Sequence, residues 1–189
     1  MTAPVQTPIP QAANCRAAIA AALPVLRTQR LTLRAPRLED WPLLAPIWRT
    51  RRSKFIGGPY STEDAWLDFS QSVASWVLRG IGYWTVTLSA DDSVLGLCGL
   101  GQEYCDPEPE FGWLFTRAAE GHGYATEATR AIRDHLFAGG ISGFVSYIDA
   151  GHARSIAVAE RLGAWRDPDA AGADATTFVY RHTCHEARP

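Results

Sequence analysis

Residues 110–128, EFGWLFTRAAEGHGYATEA, constrain this chain more than any other stretch: an apolar run, then glycines at 121 and 123, then helical periodicity. Glycine lets a backbone turn tightly and approach a ligand, because no Cβ stands in the way. The first amides of the following helix lack intrahelical acceptors, and with the helix dipole they form an anion site. Strand, glycine turn and helix start in this order suit a diphosphate. A Gly-x-Gly before a helix is also an ordinary tight connection, so the surrounding elements must decide. Two other phosphate motifs fail. No Gly-Lys-Ser/Thr is present, and the glycines from Gly96 to Gly101 run into Gln102-Glu103-Tyr104 and a proline-rich turn instead of a helix.

The flanking pattern predicts a mixed sheet. Arg30 to Arg34 alternates as a strand, and a helix opens near Leu38-Glu39-Asp40, whose acids suit a helix start. Thr62 to Leu78 reads as a second helix behind Ser61, with Trp66, Phe69, Val73 and Trp76 at helical spacing. Tyr83 to Leu88 and Val94 to Gly101 form a hairpin by pattern, and Glu110 to Phe115 follows the turn Cys105 to Pro109. Then come a helix from Tyr124 to Phe137, a strand from Gly143 to Ile148, a helix from His152 to Leu162 and a last strand from Thr177 to Thr183. The class is α/β, with a mostly antiparallel sheet and helices on its faces. The helix between the strands at 110–115 and 143–148 predicts that these two lie side by side and parallel.

Residues 1–24, with Pro4, Pro8, Pro10 and Pro24, read as an extension that is helical around Ala12 to Ala22; residues 25–183 form one domain, and 184–189 a tail. A net charge of -2 leaves no basic footprint for nucleic acid, and no apolar run is long enough to span a membrane. Cys15, Cys98, Cys105 and Cys184 show neither metal-ligand nor disulfide spacing, which fits a reducing cytoplasm.

The run Glu110-Phe111-Gly112-Trp113-Leu114, the turn Gly121-His122-Gly123-Tyr124-Ala125 and the stretch from Ser155 through Ala159-Glu160-Arg161-Leu162-Gly163 together resemble the GNAT superfamily of N-acetyltransferases. The likeness is nearest to the branch with ribosomal-protein N-terminal acetyltransferases, and Leu26 to Arg34 resembles that branch's start. The resemblance implies the acyl-CoA N-acyltransferase fold, with 110–115 splayed from 143–148 and acetyl-CoA as cosubstrate in the gap. Trp113, Leu114 and Phe115 would pair with the pantetheine amides. Amides of Ala118, Ala119, Gly121, His122, Gly123, Tyr124 and Ala125 would hold the diphosphate, with His152 and Ser155 near the thioester. Two positions depart from the family: Ala118 stands where glutamine or arginine is usual, and Ala159 where some members place a tyrosine acid.

The implied reaction is direct attack of a primary amine, of a protein N-terminus or of a small molecule, on the thioester. An ammonium must lose a proton first, and Glu110 is the candidate base, the alternative being a strand end in solvent. A catalytic role for Ser155 follows from its place at the thioester. Phe55, Tyr60 and Trp84 are weighed between an acceptor pocket and the core. The competing readings are a drug-modifying acetyltransferase and an acyl-CoA sensor without turnover. Monomer and homodimer both fit the resemblance.

Overall fold

The computed structural model describes residues 7–104 and 106–184. Cys105, Pro4 and residues 185–189, all named above, lie outside them. Helix α1 (Ala13–Ala22) precedes strands β1 (Leu26–Arg27) and β2 (Leu31–Arg34). Helices α2 (Trp41–Arg49) and α3 (Thr62–Arg79) follow, then strands β3 (Tyr83–Leu88), β4 (Val94–Gly101) and β5 (Glu110–Phe115). Helix α4 (Tyr124–Ala138), strand β6 (Gly143–Asp149), helix α5 (Ala153–Arg161) and strands β7 (Trp165–Arg166) and β8 (Thr177–Thr183) complete the domain.

One eight-stranded sheet runs in the order β1-β2-β3-β4-β5-β6-β8-β7. Every neighbouring pair is antiparallel except β5 and β6, which are parallel as the intervening helix predicts. The two-residue strands β1 and β7 carried no alternation to be read. Arg30, expected in β2, instead turns its amide to Glu127 Oε1 at 3.1 Å.

Alternation along each strand assigns the two faces. Phe111, Trp113 and Phe115 of β5 pack with Phe144, Ile132 and Leu136 under α4, in the larger core cluster. Leu114 and Leu97 face the other way, against Trp48, Phe69 and Leu44 of α2 and α3. Helix α3 is set by Ser61, which accepts from the Asp64 amide at 3.0 Å, and ends at Gly80 in the left-handed region. Trp84, weighed above as a pocket residue, is core: it is 1% exposed and its Nε1 donates to the Pro24 carbonyl at 2.7 Å. Helix α1 buries none of its residues and is tied to the body by Arg16 and Glu39, 2.8 Å apart.

Candidate active site

Strands β5 and β6 touch at a single register pair, Glu110 with Val145, and then diverge. The backbone parity of β5 follows from the bonds at its ends. The Thr116 amide donates to Leu95 of the β4 side, so Leu114 and Gly112, in step with it, also bond toward β4. The odd residues face the opening: Pro109 accepts from Val145 at 3.1 Å and Phe111 from the Ser146 hydroxyl at 2.7 Å. Beyond them the Trp113 amide and carbonyl and the Phe115 amide meet no sheet partner among the described residues. This corrects one expectation, since the Leu114 backbone is spent on β4 and only its side chain reaches the opening.

The opening continues into a cleft of about 1170 Å³ that runs between β5, α4 and α5. That exceeds the range usual for small ligands and suits a long one. At its far end, Gly121 and Gly123 hold φ of +80° and +76°, in the region that a Cβ disfavours. Their turn aims the amides of residues 121–126 outward, and among the described residues none of these has a backbone acceptor. The amides of Ala119 and Glu120, by contrast, are used within the preceding turn, on Thr116 and Arg117 at 3.2 Å each. Gly123→Ala is expected to lower the unfolding free energy by about 1–2 kcal/mol, with Gly123→Asn milder, as urea denaturation would record.

Charge marks the cleft as an anion site. Seven basic side chains line it, Arg30, Arg51, Arg52, Lys54, Arg130, Arg154 and Arg161, against the three acids Glu120, Glu127 and Asp134. All three acids are already paired, Asp134 with Arg133 at 2.5 Å. Glu127 bonds Arg30 at 2.6 Å and the Thr28 hydroxyl at 2.5 Å, which pins the start of β2 to the start of α4. Glu120 pairs with Arg52 at 2.5 Å and Arg154 at 2.8 Å, and these partners lower its pKa. Arg52 reaches further and donates to the Phe115 carbonyl at 2.7 Å, capping the fork from the loop after α2.

The α5 side supplies His152 and Ser155. The His152 ring stacks on Phe55 at 4.2 Å, and burial followed by the nearby Arg154 lowers its pKa, which favours the neutral ring. The Ser155 hydroxyl lines the cleft with no hydrogen-bond partner among the described residues.

Glu110 sits at the root of the fork, on the α2–α3 face of the sheet. Burial first, then Asp106, Glu103 and Asp68, raise its pKa to about 7, and the Tyr147 amide offsets part of that rise. Next to it, the Tyr83 hydroxyl occupies the space a side chain would need at Gly112; a Cβ there would lie 2.3 Å away.

Of the residues expected from sequence, Trp113, Leu114, Phe115, Ala119, Gly121, Gly123, Tyr124, Ala125, His152 and Ser155 line one cleft. Three do not. Ala118 is exposed beside it, His122 stacks outward on Tyr124 at 5.3 Å, and Glu110 lines a smaller pocket on the opposite face. Sequence reasoning missed Arg52 and Arg154, because only the fold brings residues 52, 120 and 154 together.

A family model described as "Acetyltransferase (GNAT) domain" matches residues 30–164. The crystal structure of an acetyltransferase from Agrobacterium tumefaciens is 36% identical, with 86% of this chain and 96% of that chain covered at a TM-score of 0.82. The uncharacterized protein YkkB of Bacillus subtilis is 34% identical over 87 residues, and this match spans 44% of the present chain and 51% of YkkB. At 15% identity, the acetyl transferase from Salmonella typhimurium that modifies the N-terminal serine of ribosomal protein L7/L12 shares the fold, with a TM-score of 0.68 over 85% of this chain and 99% of that one.

Proposed function

Because the chain belongs to the GNAT acetyltransferase family, we propose that its cleft binds acetyl-CoA and that it transfers the acetyl group to a primary amine. One observation carries the reading. A strand fork with an unpaired backbone edge leads directly into a helix start whose amides point outward between basic side chains.

The residues present fit the cosubstrate part by part. The Trp113 carbonyl and the Phe115 amide offer the pantetheine arm the ladder partners of a missing strand, which leaves the Trp113 amide free. The amides of residues 121–126 take the diphosphate, and the arginines around them neutralise the remaining phosphate charge. Acetyl-CoA supplies a thioester, an acyl group on a leaving thiolate.

The chain does the rest. Held near pH 7, the Glu110 carboxylate can take a proton from an ammonium at the fork and leave the neutral amine to attack. The Trp113 amide, facing the opening, is placed to donate to the carbonyl oxygen as negative charge develops there. Ala159 is fully buried, so no acid acts from that position. Ser155, unpartnered in the cleft, is left to donate to the departing thiolate. We assign the protein to the cytoplasm, where the free thiols of Cys15, Cys98 and Cys184 stay reduced.

Acetyl-CoA at about 100 times its Kd should stabilise the fold by roughly 2.7 kcal/mol, read as a rise in Tm, and CoA should do likewise. A Tm that neither acetyl-CoA nor CoA moves would refute the binding reading. Thiol release over a panel of amines then tests turnover itself.

A further inference from the structure

In a parallel ladder the bonds are evenly spaced, so the pair Glu110–Val145 fixes which groups would bond next. Along β6 the even residues bond β8: the Ala150 amide donates to Thr176 at 2.8 Å, and the Ser142 carbonyl accepts from the Cys184 amide at 3.3 Å. The odd residues therefore face β5. The Val145 amide bonds the Pro109 carbonyl at 3.1 Å, and the rung after it would join the Tyr147 amide to the Phe111 carbonyl. That rung is not formed, since the pairing of β5 with β6 stops at Glu110 and Val145. The Phe111 carbonyl instead accepts from the Ser146 hydroxyl at 2.7 Å.

Ser146 is itself held. Its oxygen lies 3.0 Å from Nε2 of His182, on β8. A carbonyl cannot donate, so the single hydroxyl hydrogen is spent on Phe111, and the hydrogen between Ser146 and His182 must belong to Nε2. The ring is 2% exposed, stacked on Phe144 at 5.1 Å and perpendicular to Phe111 at 5.5 Å. Burial, then Arg133, push its pKa down to about 3, which leaves a neutral ring with a bare Nδ1. That Nδ1 is buried and has no partner among the described residues. One tautomer therefore persists, because the other would strand a buried donor at Nδ1 and take away the hydrogen that Ser146 accepts.

We propose that Ser146 and His182 are positioning residues that open the cosubstrate groove, the serine hydroxyl standing in for the rung that would otherwise zip β6 onto β5. This role rests on the acetyl-CoA reading above and accounts for where the fork begins. A side chain satisfies the Phe111 carbonyl without carrying the next residues of β6 along in register. The strands part there, so the Trp113 carbonyl and the Phe115 amide reach the pantetheine arm unpaired. The Tyr147 amide, released from the same rung, stands near the Glu110 carboxyl and favours its charged form.

The test is calorimetric titration of the full chain with CoA and with 3′-phosphoadenosine 5′-diphosphate, which has the diphosphate and lacks the pantetheine arm. In Ser146→Ala the freed Phe111 carbonyl can take the Tyr147 amide and close the groove by a rung. The Kd for CoA is then expected to rise about tenfold, while that for the nucleotide stays within about twofold. Ser146→Thr keeps the hydroxyl and should hold CoA within about threefold of the parent. Should Ser146→Ala fold poorly with His182 Nε2 left unpaired, Ser146→Ala combined with His182→Phe removes that donor as well and carries the same expectation. An unchanged Kd for CoA in the alanine variants would overturn the proposal, as would an equal loss for CoA and nucleotide, the mark of general damage. If the parent binds neither ligand, the acetyl-CoA reading itself fails.

Discussion

Glu110→Gln is expected to lower kcat by about 100-fold or more while making the protein more stable at alkaline pH. Both effects come from one displaced equilibrium. The carboxyl titrates near 4.5 in an unfolded chain and near 7 in the fold, because burial and the carboxylates of Asp106, Glu103 and Asp68 oppose its charge. Below pH 4.5 both states carry the proton and the group has no effect on folding. Between that pH and about 7 the unfolded chain gives up its proton and the native state keeps it, so stability falls across this window. The full displacement corresponds to at most about 3 kcal/mol, less what water reaching the carboxylate screens. A neutral glutamine escapes the penalty. The variant should therefore exceed the parent by about 1–2 kcal/mol at pH 8 and match it near pH 4.5, in urea titrations at the two values. In the proposed mechanism the same proton governs rate. The parent's kcat/KM should climb with pH and level off above about 7, whereas the variant's residual rate should lose that inflection. An unchanged kcat and pH profile in Glu110→Gln would remove Glu110 from the mechanism.

Asp40→Ala is expected to cost about 3–5 kcal/mol, a large part of a typical stability of about 5–15 kcal/mol. Asp40 is 2% exposed and Arg34 7%, and the pair is bidentate, with both Nη–Oδ distances at 2.9 Å. The Thr85 hydroxyl and the Arg37 amide, each at 2.8 Å, complete the acceptor set of one carboxylate. Alanine would leave the buried guanidinium only the Ala35 carbonyl at 3.2 Å and, at 3.4 Å, the half-exposed Asp92 carboxylate. Removing both charges at once, as Arg34→Met with Asp40→Leu, should restore much of the loss. Urea midpoints of the single and double variants decide the matter, and a double variant as unstable as Asp40→Ala would refute the explanation.

Where sequence and structure agree, a local rule was strong. Strands β3, β4, β5 and β8 fall where alternation and turn residues put them, and the glycines at 121 and 123 do hold positive φ. The cleft was legible because one continuous stretch, β5 through α4, builds its wall. Contacts between distant segments were not. Nothing near Glu103 or Glu110 in the chain points to Asp68, which arrives only when α3 packs on the sheet. Nor does anything near Glu120 in the chain point to Arg52 and Arg154, which meet it only in space. Leu114 needed the register: whether its amide looks into the fork or toward β4 is a matter of one residue's phase, and no pattern of side chains states that phase.

The fork has a consequence for what the protein must keep out. An unpaired strand edge ordinarily recruits other strands, and proteins guard such edges against sticking to their neighbours. Here the edge lies inside the sheet, with β6 on its far side, α4 and α5 over one face and the Arg52 guanidinium across the Phe115 carbonyl. A polypeptide strand would have to bring side chains on both faces past α4, α5 and the Arg52 guanidinium. A pantetheine arm carries amides at strand-like spacing on an almost bare stem. Slenderness thus becomes the criterion for admission, and the groove that invites a cosubstrate is closed to aggregation.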